Sequence, residues 1–220
     1  MTPMNALDRT EPRWRARVLR RAALVVLSGL LVGCAGGSTP GSSETPRVLA
    51  GMVRTPTPTV VLPPVQDDSG ATVGFPAPVH GLALVYFGYT NCPDVCPTTF
   101  ADLRAAMRDL GDRADRLGIT FVSVDPERDT QALLDSYVGS FFAHARALRI
   151  SDRTALNAVG DAFGASFTRT ETDGKVEVAH TAFLYALDAG GRLLVQWPFG
   201  TTRKELTADL AALLTAQEAS

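Results

Sequence analysis

The chain has 220 residues, 45% of them hydrophobic, at a mean hydropathy of +0.07. That is enough for one well-buried domain with extra segments and too little for a second full domain. Its formal charge of −2 hides an asymmetry, because residues 1–33 hold six arginines against Asp8 and Glu11, which leaves the remainder at −6; an acidic globular remainder lacks the electrostatic footprint of a nucleic-acid binder.

The basic stretch ends at Arg20-Arg21 and is followed by the apolar run 22–32 and then Gly33-Cys34. This order of a basic and an apolar region is that of a secretory signal. An apolar run of about 11 residues falls short of the roughly 20 that span a bilayer as a helix, so residues 1–33 are expected to be a signal peptide rather than a permanent anchor. Leu31-Val32-Gly33-Cys34 resembles a bacterial lipobox, whose cysteine becomes the lipidated first residue of the exported protein. An uncleaved anchor and a free Cys34 are the alternatives, and one arginine pair is weak evidence for twin-arginine export. The expected location is the extracytoplasmic face of a bacterial cell membrane, with a lipid anchor. Cys92 and Cys96 are then the remaining thiols. Two cysteines make no disulfide framework, and in an oxidising compartment they read as a redox or metal pair.

Residues 35–47 are mostly Gly, Ser, Thr and Pro, a composition unable to drive burial. Residues 34–56 are therefore expected to be a lipid-anchor cysteine and flexible tether, ahead of a domain at 57–220. Val60-Val61-Leu62 and Ala71-Thr72-Val73, on either side of Asp67-Asp68-Ser69-Gly70, suggest an opening N-terminal β-hairpin. The continuous apolar run 82–87 predicts a strand buried on both faces. Phe100, Leu103, Met107 and Leu110 then recur at helical spacing.

A second strand is expected over 119–124, stopped at Asp125-Pro126. A helix should follow with Leu133, Leu134, Tyr137, Val138 and Phe141 on one face. A short strand over 147–150 and a helix with Leu156, Val159 and Phe163, capped by Ser151 or Asp152, come next. Asp173-Gly174 predicts a hairpin turn between 166–170 and 175–178, and Asp188-Ala-Gly-Gly191 a second one between 181–187 and 192–197. Thr202 and Glu205 form a capping-box pattern at the start of a last helix with Leu206, Leu210, Leu213 and Leu214 inward. This order fits an α/β fold with a mixed central β-sheet flanked by helices, in outline thioredoxin-like.

Residues 92–97 read Cys-Pro-Asp-Val-Cys-Pro at the junction between the first central strand and the first helix. Cysteines one helical turn apart can aim both sulfurs at one point. The unpaired N–H groups and positive dipole end of a helix start favour thiolate over thiol. Two thiolates with one imidazole make a soft, low-coordinate set that suits Cu(I), while Cu(II) also accepts nitrogen and sulfur and zinc would want a fourth ligand. His180 precedes a predicted strand where a loop could reach back over the cysteines. His80 and His144 lack such a context; Asp94 and Asp125 read first as turn or capping residues, and Trp197 as packing.

Residues 87–99, Phe-Gly-Tyr-Thr-Asn-Cys-Pro-Asp-Val-Cys-Pro-Thr-Thr, residues 122–130, Val-Ser-Val-Asp-Pro-Glu-Arg-Asp-Thr, and residues 178–181, Val-Ala-His-Thr, resemble the signature blocks of the SCO/SenC family. The similarity runs over roughly residues 60–216. It implies a membrane-anchored, thioredoxin-like, extracytoplasmic copper chaperone with one copper held by Cys92, Cys96 and His180. The implied partner is the cytochrome c oxidase subunit that carries the copper A centre. Many relatives have an acidic residue before the histidine, where this chain has Ala179; Asp125 could supply a hydrogen bond behind the ligands instead, as metal ligands usually need. Three other readings use the same residues: a thiol:disulfide oxidoreductase with Cys92 and Cys96 as a redox-active dithiol, a peroxidase of the peroxiredoxin type, and a structural module. Three intervening residues rather than two, together with His180, weigh against a plain thioredoxin.

Overall fold

The computed structural model describes residues 48–219. The signal segment, Cys34 and the tether up to residue 47 lie outside the described residues. The central sheet is built on β1 (Leu82–Gly88), a strand buried at every position. On one side it pairs in parallel with β2 (Leu117–Ser123), which in turn pairs in parallel with β3 (Arg146–Leu148). A separate two-stranded sheet joins β4 (Phe167–Thr172) to β5 (Lys175–His180). On the other side of β1 run β6 (Phe183–Leu187) and β7 (Leu193–Pro198), both antiparallel to their neighbours. The five strands stand in the order β3-β2-β1-β6-β7, a mixed sheet flanked by helices.

The helices follow from their sequences. In α1 (Val95–Leu110) the stripe Phe100, Leu103 and Leu110 is buried, and Met107 packs half-buried against the core. Helix α2 (Gln131–Gly139) buries Leu134 and Val138, while Leu133 is 51% exposed and Phe141 lies beyond the helix end. At the helix end the turn tightens, with the Phe141 N–H on the Val138 carbonyl and the Ser140 hydroxyl on the Tyr137 carbonyl, and Phe141 packs against Phe100 with centroids 5.3 Å apart. Asp152 caps α3 (Arg153–Phe163) by accepting from the N–H groups of Thr154 and Ala155. Thr202 and Glu205 complete the capping box of α4 (Arg203–Glu218), which buries Leu206, Leu210 and Leu214 and leaves Leu213 half-buried.

The expected N-terminal β-hairpin does not form. Around the turn at 67–70 only residues 65–67 pair with 71–73, through the Gln66–Thr72 bridge and the Asp67 N–H to Ala71 and Val73 N–H to Val65 hydrogen bonds, and Val60-Val61-Leu62 takes no part. Pro63-Pro64 removes two donors from the first arm, and the Val60 N–H is engaged by the Gly191 carbonyl instead. The hairpin with a ladder of its own is β4–β5, later in the chain, where Asp173 (φ 51°) and Gly174 (φ 73°) take the left-handed conformations of a tight turn.

Residues inside the expected tether are bound into the domain. Met52 exchanges backbone hydrogen bonds with Gln196 of β7, and the Gly51 N–H donates to Asp209 Oδ2 at 2.9 Å. The same carboxylate oxygen accepts from Trp197 Nε1 at 2.9 Å, and Asp209 and Trp197 are both buried. One carboxylate on α4 thus joins the approach segment to the core. Asp209→Ala leaves two buried N–H donors without an acceptor and is expected to lower stability by roughly 3 kcal/mol, read from the urea midpoint at unchanged slope.

Candidate metal centre

Strand β1 delivers the chain to the site and Gly88 makes room for it. A Cβ at Gly88 would lie 2.8 Å from Phe121 Cε2 and 3.0 Å from both Cys96 Sγ and Tyr86 Cε1, closer than side chains tolerate. Past Gly88 the turn 89–94 leads into α1. Two residues before Cys92, Thr90 donates its N–H and hydroxyl to Asp129, whose other oxygen accepts from Ser123 Oγ at 2.7 Å. Asp129 is fully buried, so this network ties the cysteine turn to the end of β2.

Cys92 sits ahead of the helix and Cys96 in its first turn, both as free thiols. Asp94, at the N-cap position, offers no side-chain cap to the helix N–H groups; the Cys96 N–H donates instead to Cys92 Sγ at 3.3 Å. The sulfur therefore occupies the place of a capping oxygen, where helix-end N–H groups favour a negative charge. His180 ends β5, opposite Phe167, rather than lying in a loop of the central sheet. Its Nε2 is 3.7 Å from Cys96 Sγ, and the ligand atoms of Cys92, Cys96 and His180 all lie within 4.8 Å of one another. Nδ1 faces the Thr181 carbonyl at 3.2 Å. A carbonyl only accepts, so the Nδ1–H tautomer suits this contact and leaves the Nε2 lone pair for a metal, whereas the Nε2–H tautomer donates to the sulfurs.

The two thiols are unequal. A hydrogen bond from Cys96 draws the Cys92 thiol down to about 4, against the opposing effect of burial, with further help from His180 and the backbone N–H groups of Cys96 and Asp94. The same contact with Cys92, together with burial, pushes Cys96 far up. Cys92 is thus the sulfur that gives up its proton first and Cys96 the one that holds it. Aromatic rings enclose the pair: Tyr86 and Tyr89 meet the His180 ring edge-on, with centroids 6.2 and 5.9 Å away. This half-enclosed pair of sulfurs and one nitrogen is a donor set suited to a soft metal ion.

Asp125 is fully buried, but its hydrogen bonds go elsewhere than to the three ligand candidates. Its carboxylate holds Arg128 and, at 3.2 Å, Arg169 Nε. Arg128 lies over the Tyr89 ring, 5.9 Å from its centroid. Arg169 belongs to β4 and pairs in register with Val178, two residues before His180. Asp125 thus touches the hairpin that carries the imidazole rather than the imidazole itself. His80 and His144 lie apart from this cluster, as read from the sequence; His80 Nδ1 faces the Gln217 carbonyl. Thr90, Asp129, Arg128, Arg169 and Tyr86 went unrecognised in the sequence. For Asp129 and Arg128 a signal existed, since both stand in the block after Asp125-Pro126; for Arg169 none did.

The profile of the SCO1/SenC family matches residues 66–215. An SCO2-like protein of Rickettsia prowazekii is 29% identical over 129 residues, covering 57% of this chain and 62% of that protein, so the chain matches less than two thirds of that relative's length. Among solved structures, Bradyrhizobium japonicum ScoI with copper bound is similar at 34% identity and a TM-score of 0.56, covering 67% of this chain and 94% of that one. The solution structure of apo Sco1 from Thermus thermophilus is similar at 29% identity and a TM-score of 0.64, covering 76% and 97% respectively.

The inequality of the thiols is measurable in the reduced, metal-free protein by thiolate absorbance. Wild type is expected to lose the Cys92 proton near pH 4. In Cys96→Ser the thiol donor is replaced by a hydroxyl at a different reach, and the midpoint moves upward; an unmoved midpoint would contradict Cys96 as the main cause.

Proposed function

The chain belongs to the SCO1/SenC family, and from that premise we propose that it is a copper metallochaperone that holds one copper ion through Cys92, Cys96 and His180. The convergence of two sulfurs and one imidazole nitrogen within 4.8 Å is the observation that carries this reading. Copper is the cargo. Cys92 and Cys96 meet it as thiolates and Nε2 completes the set, so protons leave the thiols on binding and affinity rises with pH. Oxidation of the pair to a disulfide removes two electrons and both sulfur ligands at once.

Delivery follows by exchange of these ligands for those of an acceptor. The copper A-bearing subunit of cytochrome c oxidase is the acceptor we propose, in keeping with a family whose members include cytochrome c oxidase assembly proteins. Lipidation at Cys34 and the tether up to residue 47, both outside the described residues, would keep the domain at the extracytoplasmic membrane surface and raise its effective concentration there. No helix among the described residues is long and apolar enough to cross a membrane.

A second reading has an observation of its own. One low-pKa thiol beside one protonated thiol is the arrangement of a nucleophile with its resolving partner. A thiol:disulfide oxidoreductase acting on the acceptor's cysteines would use it without needing His180.

An anaerobic copper titration of the domain separates the two. Wild type is expected to take up one equivalent, and Cys92→Ser or Cys96→Ser to lose it. His180→Ala should weaken binding by more than the roughly 10–100-fold that loss of an outer hydrogen-bond partner costs. Full copper retention in all three variants would overturn the metallochaperone reading. A His180→Ala protein that still restores oxidase assembly would favour the oxidoreductase.

Asp125 and Arg169 act on the site, in this account, by positioning the hairpin. Arg169→Ala is expected to lower copper affinity about 10–100-fold while leaving the metal-free disulfide potential at its wild-type value, because the cysteines keep their own supports in Asp129 and α1.

A further inference from the structure

Strand β5 has a neighbour on one side only. It forms a two-stranded sheet with β4, so its outer edge is unpaired among the described residues. The register says which groups that edge offers. Thr181 donates its N–H to the Ser166 carbonyl at 2.8 Å, and an antiparallel ladder alternates between residues bonded to the partner strand and residues turned away from it. Stepping in twos from that bond, Ala179, Glu177 and Lys175 are bonded inward to Thr168, Thr170 and Thr172, and Val176, Val178 and His180 turn their N–H and C=O groups outward. A row of unpaired backbone groups is a template for another strand.

This strand borders a cleft of about 550 Å³. The opposite wall is the turn that carries Cys92, through Tyr89, Asn91 and Pro93, with Arg128 beside them. On the hairpin side all five residues 175–179 line the cleft, whereas β4 contributes Thr168 and Thr170. Successive residues of a strand point to opposite faces, so a cleft lying on one face would meet every second residue; contact with five in a row places it along the edge. The same edge ends at His180, whose Nε2 is 3.7 Å from Cys96 Sγ. We propose that the acceptor docks here, adding an extended, cysteine-bearing segment to β5 as a third strand, so that its thiols are carried up to Cys92, Cys96 and His180. Main-chain hydrogen bonds supply the hold in such a pairing, which suits walls that are mostly polar. The proposal rests on the copper-delivery reading above and adds to it the surface and the backbone shape by which the acceptor is recognised.

Amide hydrogen exchange in the copper-loaded protein, mixed with a metal-free copper A domain whose cysteines are reduced, tests it. Exchange at Val176 and Val178 is expected to slow about tenfold on mixing, the worth of a new hydrogen bond, while Glu177, already held in the hairpin ladder, changes less. Unchanged exchange at both valines in a mixture that transfers copper overturns the inference. So does a slowing that grows with protein concentration without the acceptor, since the edge would then be pairing with a second copy of this chain. Val176→Pro removes one outward N–H and costs the hairpin no ladder bond, because proline is accepted on a strand edge whose N–H faces away from the partner. It is expected to bind copper as wild type does and to pass it on about tenfold more slowly; transfer at the wild-type rate overturns the proposal. Should the proline variant fold poorly, the exchange pattern of the wild type decides alone. Wild-type protein that took up no copper in the titration above would instead sink the delivery reading on which this one depends.

Discussion

The imidazole of the site rides on a hairpin that shares no ladder with the central sheet. Its place over the two sulfurs depends on the few side chains that tie the hairpin down. Arg169 reaches the buried carboxylate of Asp125, and Phe167, the cross-strand partner of His180, stacks near Phe87 of β1 with centroids 6.3 Å apart. Below them the Thr181 N–H donates to the Ser166 carbonyl and closes the base of the hairpin. Removing one partner of a buried ion pair strands the other charge in a poorly solvated place. The arrangement is therefore strongly determined although it rests on a small contact area.

The cysteines are held quite differently. They belong to the turn that leaves the fully buried strand β1, and that turn is fastened to β2 through Asp129. A rigid sulfur pair facing a separately anchored imidazole gives a site with two independent halves. Thiol chemistry needs the first half alone, whereas metal binding needs both. The family comparison and the geometry meet at this point, since the histidine is what a dithiol exchanger could do without.

Much of the architecture was legible because burial in the central sheet is written as continuous apolar runs, and the turns as Asp-Gly and Gly-Gly pairs. Asp152 and Thr202 declared two helix starts by the same local chemistry that caps them. The opening hairpin was misread because local alternation around a good turn says nothing of where the first arm finds its partner, and Pro63-Pro64 had already limited it. The three side chains that converge were visible in the spacing of Cys92 and Cys96 and in the block around His180. Arg169 and Asp209 were not, because a charged residue on an exposed-looking strand or helix carries no local mark of the distant group it will meet. Only the fold brings Arg169 to Asp125, 44 positions away.

Residues 51–60 dock along β7. Met52 and Gln196 exchange two backbone hydrogen bonds, and Gly51 is fastened to α4 through Asp209. These bonds lie at the edge strand farthest from β3, separated from β1 by β6. The strap fixes the start of the described chain to the rim of the sheet, with β6 between it and the strand that feeds the cysteine turn.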